Sequence, residues 1–197
     1  MRMKSEERRM AIMQAAAELF REHGFHGTSM AMISALVGGS KATLYNYFSS
    51  KEELFAAVTI EAVDSTANSM IGLLEGDVSN IRETLMQFGR AYLDLILSPD
   101  VVMVTKIGIS HGIPAELGPQ LYESGPAKGW RTIAAALQRF HEQGLLNVPN
   151  PQLAALQLKA LLEAGMFEPV LFGSDALLDV QSAVEHAVDL FLLKWSQ

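Results

Sequence analysis

A short segment between Ser40 and Tyr47 carries side chains that can bind a polyanion and contact the edges of nucleic-acid bases. Its polar groups are one ammonium, four hydroxyls and one amide, with no acid; its members other than Leu44 are Ser40, Lys41, Ala42, Thr43, Tyr45, Asn46 and Tyr47. Ammonium and hydroxyl groups donate to phosphate oxygens, and an asparagine amide can pair with adenine through two hydrogen bonds. Because contact with water alone does not call for two aromatic rings on one small surface, the pattern predicts contact with nucleic acid.

The spacing around this segment predicts the element that presents it. Leu44 and Phe48 are four residues apart, so they share one face of a short helix and point toward the protein interior. A preceding short helix capped by Thr28 is separated from this one by Gly38 and Gly39. Two short helices and a tight glycine turn form a helix-turn-helix, whose second helix fits a major groove about 12 Å wide.

Helical periodicity continues along the rest of the chain. An amphipathic helix is predicted over residues 6–23 and ends at Gly24, and Ser50 with Glu53 predicts the start of a fourth helix that runs to about Leu74. Further helices are predicted at about 79–98, 101–111, 119–144, 151–172 and 175–195. The predicted fold class is all-α, with an N-terminal three-helix helix-turn-helix domain at residues 1–50 and a larger helical domain at residues 51–197.

Charge is distributed unevenly between these two parts. Residues 1–51 hold seven basic and four acidic residues, whereas residues 52–197 hold eight basic and eighteen acidic ones. A basic head on an acidic body suits a protein that presents one end to a polyanion, although chance clustering explains the same division. The chain has no cysteine and no window of about 18 uncharged apolar residues, so we expect a soluble cytoplasmic protein.

The first 55 residues resemble the DNA-binding signature of the tetracycline-repressor (TetR) family. The residues that carry the resemblance are Ala16, Leu19-Phe20, Gly24-Phe25, Gly27-Thr28-Ser29, Ile33-Ser34, Gly38 and the run from Ser40 to Leu54. Residues 92–146 are similar, less closely, to a helical regulatory domain of that family. The resemblance implies a transcriptional regulator in which residues 51–197 form a helical ligand-binding and dimerisation domain.

The resemblance also implies DNA contacts for nine residues of this chain. Those expected to contact phosphate are Thr28, Thr43, Tyr45, Tyr47 and Lys51, with Lys51 also coupling the head to the body. Those expected to face base edges are Lys41, Asn46 and, through its backbone, Ala42, and Ser40 joins the set at the start of the second short helix. Structural roles stay open for several of them: Thr28 and Ser40 as helix caps, Tyr45 or Tyr47 as packing residues and Lys51 as a solvated residue.

One residue departs from the family pattern at the turn itself. Gly39 stands where the family usually has a small β-branched residue, typically valine. Because the apolar contact of that side chain is missing, the pose of the following helix is left open.

The body is expected to bind an effector and to dimerise. Candidate effector-lining residues, mostly aromatic or aliphatic, are Phe88, Tyr92, Ile96, Met103, Ile107, His111, Phe140, Met166 and Phe167. Small residues favour close packing of the last two helices with a second copy in a four-helix bundle; they are Ala154, Ala155, Ala160, Gly165, Ala183 and Ala187. Packing within one chain explains both sets as well.

The functional prediction is a repressor that is released from a palindromic operator by a small, largely apolar effector. A transcriptional activator of the same fold and an architectural DNA-binding protein are alternatives. An enzyme is disfavoured: the five histidines show no metal-ligand spacing, and no phosphate-binding glycine motif or nucleophile elbow occurs. We therefore predict no catalytic residues, no metal site and no cofactor.

Overall fold

The computed structural model describes residues 2–76, 78–110 and 115–196, and all regular elements in these ranges are helices. In chain order they are α1 (Arg2–Gly27), α2 (Met30–Val37), α3 (Lys41–Tyr45), α4 (Lys51–Gly72), α5 (Ile81–Ile96), α6 (Pro99–Ile109), α7 (Leu117–Tyr122), α8 (Lys128–Glu142), α9 (Pro151–Glu163), α10 (Phe167–Leu171) and α11 (Val180–Trp195). One π-helical turn, Glu123–Ala127, leads into α8. None of these helices has the length and apolar character needed to cross a membrane. The predicted all-α fold is confirmed.

Helices α1 to α3 form a small head around one apolar cluster. The buried side chains that these helices and the residues next to them contribute are Ile12, Met13, Ala16, Phe20, Met30, Ile33, Leu44 and Phe48. The first turn of α4 adds Leu54 and Phe55, and α6 and α7 add Ile107 and Leu117. The head is therefore packed directly onto the body, and its core extends past residue 50; the domain boundary there stays a prediction.

The body packs α5, α8, α9 and α11 around a second cluster. Gly89 of α5 allows a close approach in this cluster. A β-carbon at this position would lie 2.9 Å from Val184 Cγ1 and 3.0 Å from Leu162 Cδ2. Because any side chain there would overlap α9 and α11, the missing β-carbon lets the three helices pack closely.

The predicted helix over residues 151–172 is wrong, because it is broken between α9 and α10. Gly165 adopts a left-handed conformation with φ of 71°, and its carbonyl accepts a hydrogen bond of 2.7 Å from the Leu177 N–H. The break turns the chain back toward α11. The predicted helix over residues 119–144 is likewise divided into α7, the π-helical turn that contains Pro126, and α8.

Small residues join α9 and α11 within one chain. Ala154, Ala155, Ala183 and Ala187 are each at most 4% exposed and belong to the core of the body, whereas Ala160 is exposed. The two helices run antiparallel, since the Trp195 indole N–H donates to Gln157 and the Leu177 N–H donates to Gly165. These alanines are therefore accounted for by packing inside the monomer.

Candidate nucleic-acid interface

Capping side chains define the turn between α2 and α3. The Ser29 hydroxyl caps α2 by accepting from the Met32 N–H at 3.3 Å, and Gly38 ends the helix with a φ of 70°. The Ser34 hydroxyl then donates to the Gly39 carbonyl at 2.7 Å. Ser40 caps α3 by accepting from the Thr43 N–H at 3.1 Å. Together these contacts give α3 a fixed start immediately after the glycine pair, as predicted.

Helix α3 and the residue after it expose one polar face, which we call the reading face: Lys41, Ala42, Tyr45 and Asn46. Leu44 on the opposite side is buried in the head, while Tyr45 keeps 50% of its surface exposed. Within the described part of the chain, the Lys41 ammonium and the Asn46 amide make no hydrogen bond or ion pair. The reading face therefore offers unengaged donors and no carboxylate to a partner.

Other predicted contact residues lie at the margin of this face. The Ser40 and Thr43 hydroxyls are 2.9 Å apart and bond to each other, so each still has capacity for a further partner. Tyr47 is half-buried and packs against the apolar cluster of the head. Its ring therefore combines a packing contact with a partly exposed edge.

Thr28 turns its side chain into the head. It is 2% exposed, and its hydroxyl donates toward the carbonyls of Leu19 and Gly24 at 3.0 and 2.8 Å. The prediction that Thr28 caps the second helix is wrong, because Ser29, the next residue, is the cap of α2. At this position the hydroxyl ties the end of α1 to the start of α2, and the side chain is directed away from the surface.

Lys51 joins the first turn of α4 to the end of α1. Its ammonium donates to the carbonyls of Phe25 and Thr28 at 2.8 and 3.0 Å and lies 4.2 Å from the centre of the Phe25 ring. Two of its three N–H groups are thus used inside the protein, and one is left for an external acceptor. These contacts tie the first turn of α4 to the head, and the role expected of Lys51 in coupling the head to the body stays a prediction.

An open cleft of about 350 Å³ collects part of the predicted set. Its lining residues are Thr28, Ser29, Met30, Ala31, Lys41, Tyr45 and Lys51. Four residues chosen from the sequence are therefore neighbours here, although Thr28 contributes little exposed surface. Two lysines and a tyrosine hydroxyl around one opening suit an anionic group.

Eight of the nine candidate effector-lining residues lie in or against one of the two apolar clusters. Five lie in the core of the body, namely Phe88, Tyr92, Ile96, Phe140 and Met166, with Phe167 packed against it. Ile107 belongs to the cluster of the head, and Met103 packs against that cluster. His111 lies outside the described residues.

A polar contact reaches from the body core toward the surface, because Tyr92 is buried whereas the Glu163 and Lys159 side chains are 19% and 29% exposed. Tyr92 stacks on Phe88 with ring centres 6.0 Å apart and meets Trp130 edge-on at 5.1 Å. Its hydroxyl donates to the Glu163 carboxylate, which also pairs with Lys159. Burial, followed by the negative charge of Glu163, raises the pKa of Tyr92, so the hydroxyl stays protonated.

Sequence reasoning missed the role of Glu163, because Tyr92 lies 71 positions away in the chain. The only local signal was the spacing of Lys159 and Glu163, four residues apart on α9.

Comparison with protein families gives two matches that together cover most of the chain. Residues 12–58 match the bacterial regulatory proteins of the tetR family. Residues 83–196 match the C-terminal domain of AefR-like transcriptional repressors, which is more than half of the chain.

Individual relatives are similar over different lengths. The transcriptional activator FasR from Mycolicibacterium smegmatis is 36% identical over 95 residues, which cover 48% of this chain and 43% of that protein, so the similarity spans less than half of this curated relative. The solved structure of the flavonoid-responsive regulator FrrA is 30% identical, covers 97% of this chain and 98% of its own, and has a TM-score of 0.69. A TetR-family regulator from Mesorhizobium loti MAFF303099 shares the fold with a TM-score of 0.77 at 24% identity, over 98% of each chain.

Proposed function

Because this chain belongs to the TetR family of bacterial regulatory proteins, we propose that it binds a palindromic operator as a homodimer and represses transcription until a small, largely apolar effector releases it. The observation that carries the proposal is the reading face, where Lys41 and Asn46 are exposed, unengaged by described residues and free of neighbouring acids on α3. A lysine can donate hydrogen bonds to phosphate or to guanine, and an asparagine can form two hydrogen bonds with adenine. Such a regulator works in the cytoplasm, where the chromosome is.

A homodimer is proposed because one head offers few base contacts. Two recognition helices on a two-fold axis read two half-sites about 34–36 Å apart or a multiple of that distance. Exposed leucines on α9 and α11 support a second copy as the partner: Leu156 is 47% exposed, Leu190 53% and Leu193 82%. Apolar area of this kind on two adjacent helices favours a four-helix interface between two copies.

The aromatic residues of the body core support an aromatic effector. Phe88 and Trp130 pack against the ring of Tyr92, whose hydroxyl donates to Glu163, so aromatic rings lie beside one polar group that would orient a ligand. The similarity to FrrA, named as flavonoid-responsive, supports the same ligand class.

Release is proposed to run through α4 and α6. Helix α4 contacts α1 at one end and α5, α6 and α8 in the body, and Ile107 of α6 lies in the apolar cluster of the head. An effector that binds better when these helices are shifted would alter the separation of the two reading faces and so lower operator affinity.

A gel-shift series tests the proposal. Duplexes from upstream of the gene of this chain and of its neighbours are titrated with the protein at several salt concentrations, with and without a flavonoid. We expect sequence-selective binding that weakens with salt and with ligand. A protein that binds none of these duplexes selectively at moderate salt would contradict the DNA-binding proposal.

Activation is the second candidate, because FasR is named as an activator. A reporter gene placed behind the bound duplex distinguishes the two. Repression predicts higher expression when the gene of the regulator is deleted, and activation predicts lower expression.

A further inference from the structure

The Arg8 side chain lies on the turn of the helix-turn-helix. Its guanidinium Nη2 donates to the Gly38 carbonyl at 3.1 Å, across 30 positions of the sequence. The neighbouring Gly39 carbonyl is already bonded to the Ser34 hydroxyl. Arg8 therefore takes the carbonyl that the turn leaves open, directly before the start of α3.

Gly39 makes the room in which this guanidinium lies. A β-carbon built on Gly39 would be 2.6 Å from Arg8 Nη2 and 3.8 Å from Arg8 Cζ, and 2.6 Å is well inside van der Waals contact. The overlapping atom is the end of a long flexible side chain, so a substitution at Gly39 would move Arg8 and leave the backbone of the turn in place. The position of Arg8 is thus coupled to the missing side chain of Gly39.

The Arg8 guanidinium lies near residues that are proposed to contact DNA. Arg8 lines a small cleft together with Ser40 and Thr43, at the margin of the reading face. No carboxylate among the described residues lies within 4 Å of it, and a guanidinium has five N–H donors, of which the turn uses one. A cation with free donors beside a recognition helix matches the chemistry of a backbone phosphate.

We propose that Arg8 is a further DNA-contacting residue, a phosphate-binding guanidinium held beside α3 by the side-chain-free Gly39. The inference rests on the proposed function, since it assigns one more contact to the same interface. In a dimer the contact occurs twice.

Operator affinity measured against salt concentration tests the proposal. Arg8→Gln should lower the slope of log K against log salt by about 2, one phosphate per head, and weaken binding about 10- to 100-fold near 0.1 M salt. Gly39→Ala keeps all charges and should give the same loss, because the added β-carbon displaces Arg8. The double variant should bind like Arg8→Gln alone.

Matched controls separate this contact from general effects. Lys128→Gln removes one positive charge from an exposed site on the body, and Gly129→Ala adds a β-carbon where nothing lies within 4 Å; both should bind like the wild type. Circular dichroism of each variant reports that the fold is kept. Wild-type slope and affinity in a folded Arg8→Gln variant would overturn the inference, as would additive losses in the double variant. Failure of the wild type itself to bind DNA would instead contradict the proposed function.

Discussion

Asn46 is the side chain on the reading face that can best discriminate between bases. It is exposed at the C-terminal end of α3, and its amide is bonded to no described residue. Asn46→Ala should cost about 1–3 kcal/mol of binding at one base-pair position and leave affinity for other sequences nearly unchanged. Competition binding with single-base operator variants measures this. The control is Asn68→Ala, which removes an exposed amide from α4; equal losses at every base pair would show that Asn46 does not read sequence.

Substitutions of Lys51 and Lys41 are expected to have different effects, on the stability of the protein and on its binding to DNA, respectively. Lys51→Met removes an ammonium that is bonded to two carbonyls of the head, so the free energy of unfolding should fall by about 1–3 kcal/mol. Lys41→Met removes an exposed, unengaged ammonium and should weaken operator binding without changing the melting temperature. Thermal unfolding and binding of both variants are measured together. If Lys51→Met melts like the wild type, the two carbonyl contacts do not hold the head on α4.

For single residues, the sequence predicts which face of a helix is exposed better than it predicts which groups a side chain contacts. The alternation of Leu44 and Phe48 with polar residues predicts which side of α3 is exposed, and the structure agrees. Thr28 and Ser29 are both suitable caps, and only the fold determines that Ser29 caps α2 while Thr28 is buried. The partners of Lys51 are similarly invisible in the sequence, because its acceptors are backbone carbonyls more than 20 positions away.

At the scale of helices, the absence of a side chain at Gly89 allows α5 to pack closely against α9 and α11. Gly89→Ala would push a β-carbon against Val184 and Leu162, and overpacking of this kind costs about 1–3 kcal/mol of stability. Gly129→Ala in α8 meets no neighbour and should be neutral or stabilise by up to about 1 kcal/mol. Chemical denaturation of both variants measures the difference.

A second substitution tests whether overlap with Val184 causes the loss of stability in Gly89→Ala. Because Val184→Ala removes the nearest γ-carbon, the double variant Gly89→Ala, Val184→Ala should be less destabilised than the two single changes predict by addition. Strict additivity would mean that the predicted overlap is relieved in another way.

Periodicity predicts where helices occur, but it does not predict every break. Gly24 interrupts α1 with a φ of 69°, in agreement with the expected end of the first helix. Gly165 lies in a stretch whose apolar periodicity continues on both sides, and its left-handed conformation is stabilised by a bond to Leu177 in a later segment. A break that depends on such a tertiary contact leaves little trace in local sequence.

For the molecule as a whole, the exposed leucines of α9 and α11 predict the oligomeric state. Leu193→Glu replaces a side chain that is 82% exposed in the single chain, and a dimer loses two such contacts. At about 2 kcal/mol for each buried leucine, the dimer should dissociate about 1,000-fold more readily. Analytical ultracentrifugation should show a mass near 21.5 kDa for the variant and about twice that for the wild type. Leu73→Glu, between α4 and α5, is the control and should stay dimeric; a dimeric Leu193→Glu variant would place the interface elsewhere.

The small residues of α9 and α11 show why this interface could not be located from the sequence. Ala154 of α9 and Ala187 of α11 are small residues of the kind expected where two helices pack closely. Both are buried where these helices pack within one chain. Sequence cannot distinguish a helix pair inside a monomer from one between monomers, because both bury the same residue types. The exposure of Leu190 and Leu193 is the property that separates the two surfaces.

Selection of DNA from a random duplex pool, followed by hydroxyl-radical footprinting of the enriched sequence, tests the central claim most directly. Two copies of the reading face on a two-fold axis predict an inverted repeat with two protected half-sites, centred about 34–36 Å apart or a multiple of that distance. An enriched sequence without two-fold symmetry, or a pool that shows no enrichment, would contradict this account.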